Sequence, residues 1–317
     1  MYALAVLPNG YLASGSYDRT IKIWNPTDGS VIRTLSANGY VYSLAVLPNG
    51  HLASGSYPEI KIWNPTDWSV IRTLTGHTDK VYALAALPNG HLASGSGDST
   101  IKIWNPTDWS VIRTLTGHTD WVFSLAALPN GHLASGSYQQ INIWNPTDGS
   151  IIRALTGHAY SVNALAVLPN GHLASGGGHP DKTIKIWNTD TGSEIRTLTG
   201  HTDGVLSLAV LPNGHLASGS WDKTIKIWHA DTGGLVRTLT GHADTVYSLA
   251  ALPNGHLASG SGDKTIKIWH ADTGGLIRTV TDHTDGVRAL TVLQNGCLAS
   301  GSSDKTIKIH SILLLLA

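Results

Sequence analysis

The sequence predicts an all-β protein built from eight similar units. A short phrase, Leu-Pro-Asn-Gly, recurs along the 317 residues at intervals of 40 to 43 residues. No stretch of ten residues shows helical periodicity, and short apolar runs alternate with Gly and Pro turns. A fixed period in this range is typical of a repeat architecture, in which one small unit packs on copies of itself. The copies end at Gly10, Gly50, Gly90, Gly131, Gly171, Gly214, Gly255 and, as Leu-Gln-Asn-Gly, at Gly296.

The third unit, residues 76–116, illustrates the predicted organisation of each repeat. Four runs of strand-forming residues, at 81–87, 92–96, 100–104 and 111–115, are separated by tight turns. The first turn contains Asn89-Gly90, a dipeptide that suits a type I′ hairpin. Each unit is therefore predicted to be a four-stranded antiparallel sheet.

Such a small sheet with two apolar faces needs a neighbour on each side, and radial stacking provides this. The predicted fold is therefore one eight-bladed β-propeller domain over residues 1–317, and the alternative is seven blades with a displaced unit. Seven residues follow His310. The eighth blade is expected to have three strands, or a short fourth strand at Ile312–Leu316.

Charge and composition restrict the classes of partner. Lys plus Arg and Asp plus Glu each total 21, which gives a formal net charge of zero, and only 13% of residues are charged. A nucleic-acid binder should be clearly basic, so we expect no nucleic-acid partner. The N-terminus lacks a basic leader, and the apolar run at 312–317 is too short to span a bilayer. We expect no membrane partner, no cofactor and an intracellular, cytoplasmic location; a monomer is favoured, with the oligomeric state left open.

The residues at fixed places in each unit resemble the WD-repeat (WD40) β-propeller family. In the third unit these are Gly76-His77, Ser94, Asp98 and Trp104. The resemblance covers the whole chain. One departure is that the Trp-Asp dipeptide of the family is here Trp-Asn, as at Trp104-Asn105, or Trp-His. Because that Asp usually lies at a strand end, its replacement does not alter the expected fold.

The resemblance implies a hydrogen-bonded set of His, Ser, Asp and Trp in each blade, which satisfies the buried polar groups. Complete sets are expected at His77, Ser94, Asp98, Trp104; His158, Ser175, Asp181, Trp187; His201, Ser218, Asp222, Trp228; and His242, Ser259, Asp263, Trp269.

A Ser, His and Asp together are also the residue types of a hydrolase triad. Catalysis needs one exposed nucleophile with an oxyanion site, whereas this trio recurs in unit after unit. The sequence therefore predicts structural sets, no catalytic residues and no enzyme.

Four units depart from the pattern. Unit two has Asn38 where His is expected and Tyr57-Pro58-Glu59 in place of the Asp turn; unit four is aligned with Gln139 in place of Asp. In unit eight His310 replaces Trp, and unit one begins after the position of the loop His. Units two and eight are expected to be the least stable.

Sequence variation concentrates at the start of the first strand and at the turn between strands two and three. Both places lie at the same end of an antiparallel unit, the usual partner-binding face of the family. Tyr, Trp and Arg are enriched at binding hot spots, although aromatic side chains here could instead only pack between blades. The candidate partner-binding residues are Tyr2, Tyr17, Tyr40, Tyr42, Tyr57, Lys80, Tyr82, Trp121, Phe123, Tyr138, His179, Trp221, Tyr247 and Arg288.

A histidine follows most Asn-Gly turns at the opposite end of the units. Metal binding would require several of these rings to converge on one ion, and the separation of the blades disfavours this. The sequence predicts solvated turn residues and no metal at His51, His91, His132, His172, His215 and His256.

The leading functional hypothesis is a non-enzymatic scaffold that binds a protein or peptide on its aromatic-rich face. The alternative is a small-ligand or carbohydrate binder that uses the same aromatics. The close similarity of the units also resembles recently amplified propellers that serve as recognition domains in larger receptors, so a trimmed or engineered domain of that kind remains an alternative.

Overall fold

The computed structural model describes residues 3–253 and 255–311, which form thirty β-strands and no helix. The described residues divide into two compact units, one ending at Gly157 and one beginning at His158. Each contains four repeats. The expectation of one domain over the whole chain stays a prediction.

The first unit holds repeats one to four. Their strands are β1–β4 (Ala3–Val6, Leu12–Gly15, Thr20–Trp24, Val31–Ser36), β5–β8 (Ser43–Val46, Leu52–Gly55, Ile60–Trp63, Val70–Leu74), β9–β12 (Val81–Ala86, Leu92–Ser96, Ile101–Trp104, Val111–Leu115) and β13–β15 (Ser124–Ala127, Leu133–Gly136, Tyr138–Trp144). The strand β16 (Ile151–Val167) runs without a break from repeat four into repeat five.

The second unit holds repeats five to eight. Their further strands are β17–β19 (Leu173–Gly177, Ile184–Trp187, Glu194–Leu198), β20–β23 (Val205–Val210, Leu216–Ser220, Ile225–Trp228, Leu235–Leu239), β24–β27 (Val246–Ala251, His256–Ser261, Ile266–His270, Leu276–Val280) and β28–β30 (Val287–Val292, Leu298–Ser302, Ile307–His310).

Every repeat is an antiparallel meander in which strands that are consecutive in sequence pair with each other. In repeat three, for example, Ser94 lies opposite Leu84 on one side and Lys102 on the other. The sequence prediction of four-stranded units is confirmed for repeats one to three, six and seven, and repeats four and five have four strands each when β16 is counted in both. Repeat eight has three strands among the described residues, and the fourth strand suggested at Ile312–Leu316 lies outside them.

The Leu-Pro-Asn-Gly turn differs from the type I′ hairpin that Asn89-Gly90 suggested. Only Gly90 has a positive φ in this turn, at 87°. The Gly90 N–H donates to the Leu87 carbonyl at 2.9 Å, and the Leu87 N–H donates to the His91 carbonyl at 2.8 Å. Because Pro88 holds φ near −65°, the chain enters a type I turn and closes it with a left-handed glycine. The type I′ prediction was therefore wrong.

Apolar clusters join neighbouring repeats within each unit. Trp104, on the third strand of repeat three, packs with Ile60 and Ile62 of repeat two. Trp63 likewise packs with Ile21 and Ile23 of repeat one. Equivalent clusters connect repeats three and four, five and six, six and seven, and seven and eight. Within each unit, a small sheet therefore buries its apolar face against the next repeat of the same unit, as its size requires.

Candidate functional site

The variable positions lie at one end of each repeat, which we call the upper edge. In repeat three, Lys80 precedes the first strand and Gly97 follows the second; the Gly97 N–H donates to the Lys80 carbonyl at 2.8 Å. The antiparallel meander brings these two segments together in every repeat, because strand one leaves the edge to which strand two returns. Side chains from several repeats can therefore form one surface.

Six aromatic side chains of repeats one to four form a connected chain of ring contacts at this edge. Tyr17 lies 4.7 Å from Tyr40 and 5.7 Å from Tyr42, measured between ring centroids. Tyr42 contacts Tyr82 at 5.4 Å, and Tyr82 contacts Trp121 at 5.5 Å. Such separations lie within the usual range for interacting rings. We define the aromatic patch as Tyr17, Tyr40, Tyr42, Tyr57, Tyr82, Trp121 and Phe123.

The patch is exposed rather than covered by its own chain. Tyr40, Tyr57 and Trp121 expose 43%, 51% and 42% of their surface. Phe123 and Tyr82 are half-buried and lie behind Trp121, at 5.9 and 5.5 Å from it. The rings therefore pack on one another from the side and still present their faces or edges to solvent. Packing and exposure occur together here. The same aromatic side chains can therefore both pack between repeats and contact a partner.

A cleft of about 300 Å³ opens within the patch. The Arg19 guanidinium lies 5.9 Å from the Tyr40 ring, and the Lys80 ammonium lies 5.7 Å from the Trp121 ring, both measured to the ring centroid. These are cation–π distances. The cleft is lined by Arg19, Asn38, Gly39, Tyr40, Tyr42, Tyr57 and Lys80.

Sequence reasoning missed Arg19, Asn38 and Gly39 as parts of this surface. Arg19 has a positive φ of 67° in the turn between the second and third strands. That turn was already identified as an upper-edge position, so the alignment of repeats could have indicated Arg19. The sequence pattern identified Asn38 only as a departure from the Gly-His pair, and it did not indicate Gly39.

The hydroxyls of Tyr42 and Tyr82 stay protonated at neutral pH. Burial and the Asp79 carboxylate raise the pKa of Tyr82 to about 12. Burial, with Tyr17, Tyr40 and Asp79 nearby, also raises the pKa of Tyr42. A protonated phenol can both donate and accept a hydrogen bond, so the patch offers polar contacts beside its apolar ring faces.

The other candidate residues are not members of the aromatic patch as defined above. Tyr138 of repeat four and Trp221 of repeat six are exposed. His179 Nδ1 lies 2.9 Å from Asp203 Oδ1 in the exposed loop around Gly178-His179-Pro180. Tyr2 lies outside the described residues.

A second, smaller aromatic contact occurs in repeats seven and eight. The Arg288 guanidinium lies 3.8 Å from the centroid of the Tyr247 ring, and its Nε donates to Ser303 Oγ at 3.0 Å. This contact involves one aromatic ring, whereas the aromatic patch joins rings of repeats one to four.

The His, Ser, Asp and Trp side chains of repeat three form a continuous hydrogen-bond network. Trp104 Nε1–H donates to Ser94 Oγ at 2.8 Å, and Ser94 Oγ lies 2.8 Å from His77 Nε2. His77 Nδ1 lies 2.8 Å from Asp98 Oδ2, which also accepts from the Thr78 N–H at 3.0 Å. The same geometry occurs in repeats five, six and seven.

The charge state of this network is set by burial and hydrogen bonding. Burial alone would raise the pKa of Asp98, but hydrogen bonds from Thr100 and Thr78 and the interaction with His77 lower it to about 2. Burial lowers the pKa of His77. Ser94 Oγ is fully buried and surrounded by these partners, an arrangement unlike the exposed nucleophile of a hydrolase.

Repeat two replaces this network with different groups. Asn38 Nδ2 donates to Glu59 Oε2 at 2.5 Å, and Lys61 Nζ donates to Asn38 Oδ1 at 3.2 Å. Trp63 still donates to Ser54 Oγ at 2.9 Å. Glu59 thus contacts the loop residue Asn38, as Asp98 contacts the loop residue His77 in repeat three.

Repeat four was aligned with Gln139 at the position of Asp, and the structure corrects this. Gln139 has a φ of 62°, the left-handed conformation that Ser99 and Lys223 adopt one residue after the Asp of their turns. The turn is one residue shorter, so no residue takes the Asp position. His118 Nε2 still lies 2.6 Å from Ser135 Oγ, and burial lowers the pKa of His118 to about 4.

In repeat eight, His310 occupies the place of Trp. His310 Nε2 lies 3.2 Å from Ser300 Oγ, and His283 contacts both Ser300 and Asp304 at 2.8 Å. Burial lowers the pKa of His310 to about 4.

The histidines at the opposite, lower edge are half-buried, which corrects the expectation of solvated turn residues. His51 lies 6.2 Å from Trp109 of the next repeat, between ring centroids, and burial lowers the pKa of His51. In repeats six and seven this histidine instead faces a second histidine.

Two searches of the described residues gave negative results. Across residues 3–253 and 255–311, no three or more His, Cys, Asp or Glu side chains are grouped so that they could hold a metal ion. The same part of the chain contains no helix long and apolar enough to cross a membrane.

Comparison with protein families gives eight matches to WD40, described as "WD domain, G-beta repeat". The matched segments are 1–25, 29–64, 68–105, 109–145, 149–188, 192–229, 233–270 and 274–311. Eight matched repeats in an all-β chain confirm the predicted class of an eight-bladed β-propeller.

Two solved structures are similar to this chain. A computationally designed protein, Ika8, is 32% identical with a TM-score of 0.87, over 97% of this chain and 95% of that one. The WD40 β-propeller domain of Doa1 is 30% identical with a TM-score of 0.68, over 86% of this chain and 92% of that one. A comparison with curated protein sequences gives no match.

Proposed function

Because the chain belongs to the WD40-repeat family, we propose that it is a non-enzymatic interaction scaffold that binds a protein or peptide through the aromatic patch. WD40 propellers commonly serve as protein-interaction scaffolds, and the patch is the part of this chain that would distinguish one partner from another. The identity of the partner is left to experiment.

The observation that carries the proposal is the exposure of connected aromatic rings across four repeats. Tyr40, Tyr57 and Trp121 lie within one surface, and each is about half exposed. Rings held by strands and by one another lose little conformational freedom on binding, so they are well suited as anchors. Arg19 and Lys80, at 5.9 and 5.7 Å from patch rings, add charged groups of the kind found at interface hot spots.

The test is selection of binding peptides with a defined probe. A random peptide library displayed on phage is selected on the full chain, and the affinity of synthetic peptides is then measured for variants. Replacement of Tyr40, Tyr57 and Trp121 together by Ser should weaken binding at least about thirtyfold, since hot-spot residues contribute about 2 kcal/mol or more.

Trp221→Ser is the matched control, because Trp221 is an exposed upper-edge aromatic outside the patch. It should leave the peptide affinity unchanged. Melting temperatures of both variants establish that the fold is kept. Selected peptides that bind the triple variant as well as the unchanged chain would place the binding surface elsewhere.

A second candidate function is suggested by the cleft of about 300 Å³. This volume is at the lower end of small-molecule sites, which are lined by aromatic groups with a few polar ones. A small carbohydrate could stack on Tyr40 and Tyr42 and hydrogen-bond Asn38. Binding on a glycan array that is lost in Tyr40→Ser, with no peptide selected from the library, would favour this function over the first.

A further inference from the structure

The lower edges of repeats six and seven each bring two imidazole rings together. His215 and His229 have ring centroids 5.3 Å apart, and His256 and His270 have centroids 5.0 Å apart. His256 and His270 are register partners on the antiparallel strands β25 and β26. All four side chains are half-buried, so the rings of each pair remain accessible from solvent.

We propose that each of these histidine pairs binds one divalent transition-metal ion of the zinc, nickel or copper class. Imidazole nitrogen is a preferred ligand for these metals, whereas magnesium and calcium prefer oxygen. The two sites lie at the lower edges of repeats six and seven, and the proposal does not rest on the proposed partner binding.

The separation of the rings is the distance that one shared ion requires. The metal–nitrogen distance is about 2.0–2.1 Å and each nitrogen lies about 1.1 Å from its ring centre, so two rings on a tetrahedral ion have centroids about 5.2 Å apart. A right-angled arrangement of the same ligands gives about 4.5 Å. The observed 5.3 and 5.0 Å fall beside the tetrahedral value. Little ring movement is therefore needed to close either pair on an ion.

The nitrogen that faces the ion can be assigned on the third-strand histidines. The Thr232 N–H donates to His229 Nδ1, and the Thr273 N–H donates to His270 Nδ1, both at 3.4 Å. Nδ1 therefore faces its own turn, and Nε2 is the ligating atom. A ring with metal on Nε2 carries its proton on Nδ1, so binding displaces a hydrogen bond that is already long.

Each ion would have two protein ligands, with water in its remaining positions. No third His, Cys, Asp or Glu of the described residues joins either pair to form a larger cluster. Two-ligand binding is weaker than that of a closed four-ligand structural site. The sites are thus exchangeable surface sites rather than structural centres on which folding depends.

The repeats themselves supply control residues. Repeat five has the turn Asn188-Thr189-Asp190-Thr191-Gly192 where repeat six has His229-Ala230-Asp231-Thr232-Gly233. Asn188 Oδ1 accepts from the Thr191 N–H at 3.0 Å, the same contact that His229 Nδ1 makes with Thr232. Replacing His229 or His270 by Asn therefore removes a metal ligand and keeps the turn.

The experiment is calorimetric titration of the full chain with Zn²⁺ in a buffer that does not bind metal. We expect two ions per unchanged chain, one for His229→Asn or His270→Asn alone, and none for the double variant. His215→Tyr with His256→Tyr gives an independent double variant, because Tyr11 stands at that position in repeat one. It should also bind no Zn²⁺.

The melting temperature of each metal-free variant, compared with the unchanged chain, establishes that the repeats remain folded. Two ions still bound by both folded double variants would overturn the proposal. So would the absence of Zn²⁺ binding by the unchanged chain at millimolar metal.

Discussion

A buried serine hydroxyl is the centre of the hydrogen-bond network in most repeats. In repeat three, Ser94 Oγ accepts from Trp104 Nε1–H and lies 2.8 Å from His77 Nε2, while Asp98 is 2.8 Å from the other ring nitrogen. Each polar side-chain atom of this hydrogen-bond network has a partner, so the cost of burying it is offset. The residue types are those of a triad, yet their role here is to hold strands and a loop together.

Repeat four offers a test of this role because His118 has lost the usual carboxylate. Its folded pKa of about 4 lies below the usual value for His of about 6.5. The neutral ring therefore stabilises the fold fully above about pH 6.5, and this contribution is lost as pH falls toward 4. The shift corresponds to about 3 kcal/mol.

We predict that His118→Asn, which copies Asn38 of repeat two, destabilises the protein at pH 7 by about 1–3 kcal/mol, since it removes the contact with Ser135. This difference should change by about 3 kcal/mol as pH falls to 4, so that the variant becomes as stable as the unchanged chain or more stable, because the variant has no ring to protonate. Urea unfolding at pH 7, 5.5 and 4 measures the difference. A deficit that is constant with pH would contradict the prediction.

At the scale of strands and turns, the two edges of a repeat carry different constraints. The strands and the Leu-Pro-Asn-Gly turn barely change between repeats, since their side chains fill the clusters between neighbouring sheets. Upper-edge positions contact solvent and can vary without loss of that packing. The aromatic patch occupies the edge where the fold constrains sequence least.

Trp68 and Trp109 show that the turn after the third strand can also contribute to packing. Both have left-handed backbone angles, with φ of 66° and 63°, where five other repeats have Gly. Both are nonetheless buried in the clusters between repeats. Burial of the indole outweighs the cost of the backbone conformation.

We predict that Trp109→Gly destabilises the protein by about 3 kcal/mol. Loss of about 150–250 Å² of buried surface costs up to about 4–6 kcal/mol, and relief of the left-handed angle returns about 1–2 kcal/mol. The midpoint of urea unfolding should fall accordingly. An unchanged midpoint would mean that Trp109 does not stabilise the contact between repeats two and three.

At the scale of the whole molecule, the charge balance governs behaviour in solution. The formal net charge is zero at pH 7 with His neutral, and there are sixteen His residues. A protein without net charge tends to self-associate. Burial lowers the pKa values of His77 and His242, so these two network histidines resist protonation.

We predict that solubility rises as pH falls from about 7 to about 6, because added protons give the protein a net positive charge. Precipitation by polyethylene glycol, followed across this range at constant ionic strength, is the measurement. Equal or lower solubility at pH 6 would show that net charge does not control association.

The sequence by itself determined the repeat, the strand order and the class of fold. The reason is local: an apolar run, a Pro-Asn-Gly turn and a second apolar run specify a hairpin wherever they occur, and a fixed period repeats it. Trp104, Ser94 and His77 could be assigned to one network because their spacing recurs in several repeats. The turn type was predicted wrongly because the prediction used only the Asn89-Gly90 dipeptide. Pro88, the residue before it, restricts the backbone to a type I turn.

Only the tertiary structure decided which variable residues form a surface. Tyr42, Tyr82 and Trp121 are about forty residues apart in sequence and come into ring contact through the packing of neighbouring repeats. The pairing of His256 with His270 likewise follows from strand register, which places residues fourteen positions apart side by side. Sequence period sets where each repeat begins; contact distances between repeats depend on how their sheets pack, and no local pattern encodes them.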